Sequence, residues 1–115
     1  MRRCRQTTVY RRRTWSETMP VATLTLELEI EGAHSLKDRR QAVRSLKDKL
    51  RHGFNVSVAE MDDASLWNRA TLGIAAINIS RDYLNGQLRE VEEAVTRLGV
   101  GLGVTVLDAH TEFLD

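Results

Sequence analysis

The chain has 115 residues, of which 42% are hydrophobic and 29% are charged, and its net charge is +1. This length predicts a single domain, and this composition excludes disordered and fibrous proteins. No apolar run approaches the ~20 residues that a membrane-spanning helix needs. The one cysteine, Cys4, excludes an internal disulfide and a cysteine-cluster metal site. We therefore expect a small cytoplasmic protein that makes no membrane contact.

The N-terminal segment differs in charge from the rest of the chain. Residues 1–18 contain six arginines and one acidic residue, a net charge of +5. Residues 19–115 contain 11 basic and 15 acidic residues, a net charge of −4. Because residues 1–18 have no apolar periodicity, we interpret them as a basic disordered extension, which a start codon upstream of Met19 would explain. A basic arm that contacts nucleic acid is the alternative. Residues 19–115 form the predicted domain.

The first half of this domain has the pattern of a strand followed by a helix. In residues 21–30, leucine and isoleucine alternate with threonine and glutamate, which predicts a half-buried strand. Ser35 is placed to cap a helix over residues 36–51. We expect Gly53 to end this helix in the left-handed conformation.

The second half has the pattern of two strands, a helix and a last strand. Residues 54–61 alternate again, and a longer hairpin connection leads to a strand over residues 70–79 that is apolar or small on both faces. Apolar residues at helical spacing then continue to Leu98, and Ser80 or Asp82 is the predicted cap.

Three glycines follow, at positions 99, 101 and 103, and we interpret them as a flexible connector before a last strand over residues 107–114. The order βαββαβ with right-handed crossovers predicts an α+β fold, the ferredoxin-like sandwich. This fold has a four-stranded antiparallel sheet with both helices on one face. The first and third strands are its central pair.

A row of basic side chains on the first helix is the clearest functional signal. On a helical wheel of about 100° per residue it occupies an arc of about 80°. This basic stripe consists of Lys37, Arg40, Arg44, Lys47 and Arg51. Regularly spaced cations can neutralise successive phosphates, so the stripe predicts a nucleic-acid-binding surface. The alternative is a solvated helix face with salt bridges to acids elsewhere.

Arg39 is a separate case among the basic residues of this helix. It lies inside the apolar face, so we expect its stem to pack and its guanidinium to pair with a carboxylate.

No catalytic arrangement is recognisable in the sequence. The chain has three histidines, His34, His52 and His110. Their spacing is not that of metal ligands, and no nucleophile motif occurs. Acidic residues cluster at Glu60, Asp62 and Asp63, which we interpret as solvated loop acids. We therefore predict no catalytic residues, no metal site and no cofactor, and expect a protein that is not an enzyme.

The first strand offers no aromatic side chain on the open face of the predicted sheet. The first strand places only threonine and glutamate there, whereas RRM-type recognition needs aromatic side chains that stack on bases. The strand over residues 70–79 is apolar on both faces, although the helices can cover only one. This predicts that a second copy covers the open face and that the protein is a homodimer.

Three segments resemble the YlxP-like family of small bacterial proteins, classed as a domain of unknown function. They are Ser35–Arg40 (SLKDRR), Phe54–Glu60 (FNVSVAE) and Leu66–Ala70 (LWNRA), followed by Leu72-Gly73. The resemblance extends over residues 19–114 and implies a ferredoxin-like fold in a bacterial cytosolic protein. Trp67 is predicted to anchor the hairpin connection against the core, and the alternative is an exposed contact residue for a partner. The family has no established catalytic residues, so none are assigned here.

Two functional hypotheses follow. The first is a non-catalytic module that associates with RNA or the ribosome through the basic stripe. The resemblance adds to it, because family members are often encoded beside transcription–translation and ribosome-maturation factors. The second is a dimeric protein-interaction or small-ligand regulatory domain that uses the open sheet face.

Overall fold

The computed structural model describes residues 19–61 and 68–114, which form one antiparallel sheet and two helices. The elements are β1 (Val21–Ile30), α1 (Leu36–Gly53), β2 (Ser57–Glu60), β3 (Arg69–Ile77), α2 (Arg81–Leu102) and β4 (Val104–Leu114). The strand order is β2-β3-β1-β4, so β1 and β3 are central and the predicted α+β ferredoxin-like arrangement is confirmed. The predictions for residues 1–18, Asp62, Asp63 and Trp67 lie outside the described residues.

The core lies between the sheet and the helix pair. Alternate residues of β1, including Leu24, Leu26 and Leu28, are buried against apolar side chains such as Leu46 of α1 and Leu88 of α2. The opposite residues of β1 face away from both helices, so the alternation seen in the sequence is the inside–outside pattern of the sheet. Within the described ranges, no helix is long and apolar enough to cross a membrane.

The start of α1 is fixed by two reciprocal hydrogen bonds. The Ser35 hydroxyl accepts from the Asp38 N–H at 3.2 Å, and the Asp38 carboxylate accepts from the His34 N–H at 3.1 Å. These bonds satisfy donors that a helix start otherwise leaves unpaired. The predicted Ser35 cap is confirmed.

The predicted end of α1 is wrong. Gly53 is still helical, and the capping residue is Phe54, which is extended at φ −139°. The Phe54 N–H donates to the Leu50 carbonyl at 3.0 Å, and its ring is half-buried against the core. The helix therefore ends at an extended residue and not at a left-handed glycine. The extended backbone leads the chain directly from the helix layer to the sheet. β2 starts correspondingly late, at Ser57 instead of residue 54.

The predicted flexible connector over residues 99–103 is also wrong. α2 continues through Gly99 and Gly101 to Leu102, and only Gly103 takes a left-handed conformation, at φ 72°. A Cβ atom on Gly99 would lie 2.3 Å from the Val104 carbonyl oxygen. Glycine at this position lets the chain return tightly against the helix, and β4 begins three residues earlier than predicted.

The predicted burial of β3 on both faces holds for one face. Leu72 and Ile74 are buried under the helices, whereas Gly73 and Ala75 on the open face are half-buried. Part of this cover comes from the chain itself, because a Cβ atom on Gly73 would lie 2.7 Å from the Met61 sulfur.

Candidate nucleic-acid interface

α1 directs the basic stripe away from the core. The helix buries Arg39, Val43, Leu46 and Leu50, and the stripe lies on the other side. Four stripe residues are exposed and Lys47 is half-buried.

Most of the stripe lines one cleft between α1 and the edge strand β2. The cleft has a volume of about 370 Å³. Its lining residues are Arg40, Val43, Arg44, Lys47, Asp48, Arg51 and Glu60. The structure thus brings together four of the five predicted cations, and Lys37 lies outside the lining. We call this feature the β2-edge cleft.

One residue of the cleft lining, the half-buried Glu60, forms an ion pair with the buried Arg39. Arg39 is only 1% exposed, and its guanidinium pairs with the Glu60 carboxylate of β2. The Arg39 Nε also donates to the Arg69 carbonyl at 2.8 Å. The prediction that Arg39 packs its stem and pairs with a carboxylate is confirmed. The negative charge of Glu60 is therefore matched inside the protein.

Arg51 has a structural role that the sequence analysis missed. Its Nη2 donates to the Val58 carbonyl at 2.8 Å, and its Nη1 lies 3.9 Å from the Asp48 carboxylate. The Met61 N–H donates to the Thr71 carbonyl at 2.7 Å, so alternate residues of β2 bond to β3 and the Val58 main chain points outward. Arg51 therefore caps the outer edge of the sheet.

The other four stripe residues differ from Arg51. Within residues 19–61 and 68–114, the side chains of Lys37, Arg40, Arg44 and Lys47 form no ion pair or hydrogen bond. For these four, the salt bridges of the alternative interpretation are absent from the described residues, and a solvated helix face stays the alternative. The Asp48 carboxylate lies near Arg51, and the Glu60 carboxylate pairs with Arg39. Neither carboxylate pairs with Arg40, Arg44 or Lys47, so the cleft keeps an excess of positive charge.

The remaining titratable residues do not converge. In residues 19–61 and 68–114, no three His, Cys, Asp or Glu side chains are grouped as metal ligands would be. The His52 Nδ1 lies 2.8 Å from the Asp48 carbonyl oxygen, within its own helix, and His110 lies opposite Thr25 on the open sheet face.

The open sheet face is polar over most of β1. The Thr71 hydroxyl donates to the Glu27 carboxylate at 2.8 Å, which links β3 to β1 across this face. Neither β1 nor β3 contains an aromatic residue, so the two central strands offer no ring for stacking on bases. At one end the face is apolar, because Val21 lies between Ile77 and Leu114.

Comparisons with known proteins place the chain in a family. Residues 21–109 match the family described as "Protein of unknown function (DUF503)". Over 81 residues, 62% of this chain and 88% of the relative, the chain is 31% identical to the "Uncharacterized protein YlxP" of Bacillus subtilis (strain 168).

Two solved structures are similar in fold alone. The designed protein Foldit4 has a TM-score of 0.50 and 7% identity, with 84% of this chain and 97% of that chain covered. A C-terminal segment of the alpha subunit of aIF2 from Pyrococcus abyssi has a TM-score of 0.47 and 16% identity, with 84% and 52% covered. The family match, which spans most of the domain, identifies the chain as a member of the DUF503, or YlxP-like, family.

Proposed function

We propose that this protein is a cytoplasmic, non-catalytic module that binds RNA, on the ribosome or free, through the basic stripe of α1. One observation carries the proposal. Lys37, Arg40, Arg44 and Lys47 have no ion-pair partner among the described residues, while the carboxylates of Asp48 and Glu60 in the β2-edge cleft face Arg51 and Arg39. Unpaired like charges on one helix face repel each other, and a bound polyanion removes that cost.

The spacing of the stripe suits a phosphate backbone. At 1.5 Å per residue, Lys37 and Arg51 are about 21 Å apart along the helix, and successive cations are about 5 Å apart. Such a row can follow one strand of RNA over several phosphates. Each phosphate contact releases counterions, which favours binding at low salt.

In this proposal the protein recognises RNA through contacts with its phosphate backbone. Recognition of single-stranded bases needs stacking platforms, and β1 and β3 have no aromatic residues. Phosphate contacts position a protein on RNA without reading its sequence. We therefore expect a preference for structured RNA, such as the helices of ribosomal RNA, over unstructured single strands.

A protein-interaction domain is the second candidate function. It is favoured by the apolar row on the open face, where Ile77 is 43% exposed and Leu114 is 51% exposed on either side of Val21. The surface area of this apolar row is small compared with the area that a stable interface buries. In both candidate functions we propose that the working unit is a homodimer.

Charge reversal tests the RNA-binding proposal. The test variant is Arg40→Glu with Arg44→Glu, since both side chains are exposed and unpaired. The control is Lys49→Glu with Arg97→Glu, which changes the net charge equally but lies around a different cleft, between α1 and α2. Both pairs are measured by fluorescence anisotropy with a ribosomal RNA hairpin and by co-sedimentation with ribosomal subunits.

The two variants are expected to differ clearly. The test variant should bind RNA at least about tenfold more weakly than wild type, because two charge-assisted contacts are lost and two repulsions are added. The control should change affinity by only about twofold, through long-range charge alone. Equal losses in both variants, or a wild-type protein that ignores RNA at low salt, would contradict the proposal.

A further inference from the structure

β4 presents an uncovered main-chain edge. It is the longer edge strand, with 11 residues, and its only neighbour in the sheet is β1. In the described structure, the outward main-chain groups of β4 have no hydrogen-bond partner. Long unpaired edges pair readily with other strands, and proteins usually block them with lysine, proline or a covering element. Residues 108–114 contain no lysine or proline, no element of the described structure covers them, and the one bulge of β4 lies before them, at Leu107.

The register identifies which residues point outward. The Glu31 N–H donates to the Gly103 carbonyl at 2.8 Å, which fixes the alternation of hydrogen bonds between β1 and β4. A bulge opposite Glu27 then inserts Leu107 and shifts the register by one. Beyond the bulge, residues 110, 112 and 114 bond to β1. Ala109, Thr111 and Phe113 therefore direct their N–H and C=O groups to the outer edge.

We propose that two copies of the chain pair antiparallel along this edge, about a two-fold axis at Thr111. Thr111 then lies opposite the partner's Thr111, and Ala109 lies opposite the partner's Phe113. The three outward residues of each copy supply about six main-chain hydrogen bonds. The two four-stranded sheets become one continuous sheet of eight strands. The isologous contact closes as a dimer and uses up the exposed edge.

Side-chain complementarity selects this register. On the open face, His110 lies opposite the partner's Glu112, and the same pair recurs across the axis. On the helix face, the small Ala109 lies opposite the large Phe113, and the central threonines form a favoured cross-strand pair. Moving the axis to His110 would place Asp108 opposite Glu112, a like-charge pair. Moving it to Ala109 would require pairing through the bulge at Leu107, where the outward alternation is broken.

A proline at the axis tests the proposal. Thr111→Pro removes an outward N–H that has no acceptor in the part of the chain that the structure describes, and proline is tolerated on edge strands when the N–H faces solvent. We expect wild type to sediment as a dimer at tens of micromolar. The variant should dissociate at least about tenfold more readily and keep the circular dichroism spectrum of wild type. A monomeric wild type, or a folded variant with undiminished dimerisation, overturns the proposal.

Cross-linking tests the register even if the proline variant fails to fold. In a Cys4→Ser background, the double change His110→Cys with Glu112→Cys places two cysteine pairs opposite each other across the axis, at disulfide distance. Oxidation should give a covalent dimer on a non-reducing gel. His110→Cys alone should not cross-link, because the two positions 110 are diagonal in this register. No covalent dimer from the double variant, or equal cross-linking of the single variant, overturns the proposal.

Discussion

The two edges of the sheet are protected in different ways. β2 has four residues, and its outward Val58 carbonyl accepts a hydrogen bond from Arg51 of α1. β4 has 11 residues, and no side chain of the described structure caps its outer edge. A short, capped edge lined with cations resists pairing with another strand, whereas a long uncapped edge favours it. One sheet can therefore offer positive charge at one edge and main-chain pairing at the other.

The comparison also separates the arginines of α1 by role. Arg39 and Arg51 are held by β2 and β3 and fix the helix over the edge. Arg40 and Arg44 lie on the same helix and have no partner in residues 19–61 and 68–114. The first pair should matter for stability and the second pair for binding, and substitutions can separate the two effects.

The largest stability effect is expected at Arg39. Arg39→Met removes the buried partner of an ion pair and takes this donor away from the half-buried Glu60 carboxylate and from the Arg69 carbonyl. Breaking such a pair from one side is strongly destabilising, and we expect a loss of about 3 kcal/mol in the free energy of unfolding. Urea denaturation measures it. The matched control, Arg40→Met, should change stability by less than about 0.5 kcal/mol. Similar losses in both variants would show that Arg39 has no special role.

The next effect concerns the return of the chain from α2 into β4. Gly99→Ala places a Cβ atom against the Val104 carbonyl, so the backbone must shift, and we expect a loss of about 2 kcal/mol. Gly101→Ala has open space around its Cβ and should stabilise the helix by up to about 1 kcal/mol. Opposite shifts in melting temperature are the expected result. A stabilised Gly99→Ala would mean that β4 does not approach α2 as described.

A smaller effect is expected at the capped edge itself. Arg51→Ala removes the hydrogen bond to the Val58 carbonyl, and we expect a loss of about 1 kcal/mol in thermal or urea denaturation. Arg44→Ala serves as the control, since Arg44 lies on the same stripe and has no partner in the described structure, and it should leave stability unchanged. If Arg44→Ala is the more destabilising change, the division of the stripe into structural and binding residues is wrong.

The main features of the fold follow from local patterns in the sequence. Alternation over residues 21–30 predicts the central strand and its buried face. Successive side chains of a strand point to opposite faces, so the leucines at every second position all lie on one face. The Ser35 cap follows from side-chain chemistry within one helical turn. The burial and pairing of Arg39 follow from its place on the apolar face of the helix.

What the sequence analysis missed depends on contacts between distant residues. A glycine costs a helix only about 1 kcal/mol, so whether Gly99 ends α2 depends on the strand that packs against it. The role of Arg51 depends on which carbonyls of β2 point outward, and the bulge at Leu107 sets the outward residues of β4. These features require the register of the sheet, which a single sequence does not specify.

The salt dependence of RNA binding tests the central claim most directly. If the four unpaired cations each contact a phosphate, the logarithm of the association constant should fall with the logarithm of salt concentration with a slope of about −3 to −4. Arg40→Glu with Arg44→Glu should reduce the magnitude of that slope by about two. Both results are expected if the basic stripe binds the phosphate backbone. A wild-type slope near zero, or a slope that the double change leaves intact, would contradict it.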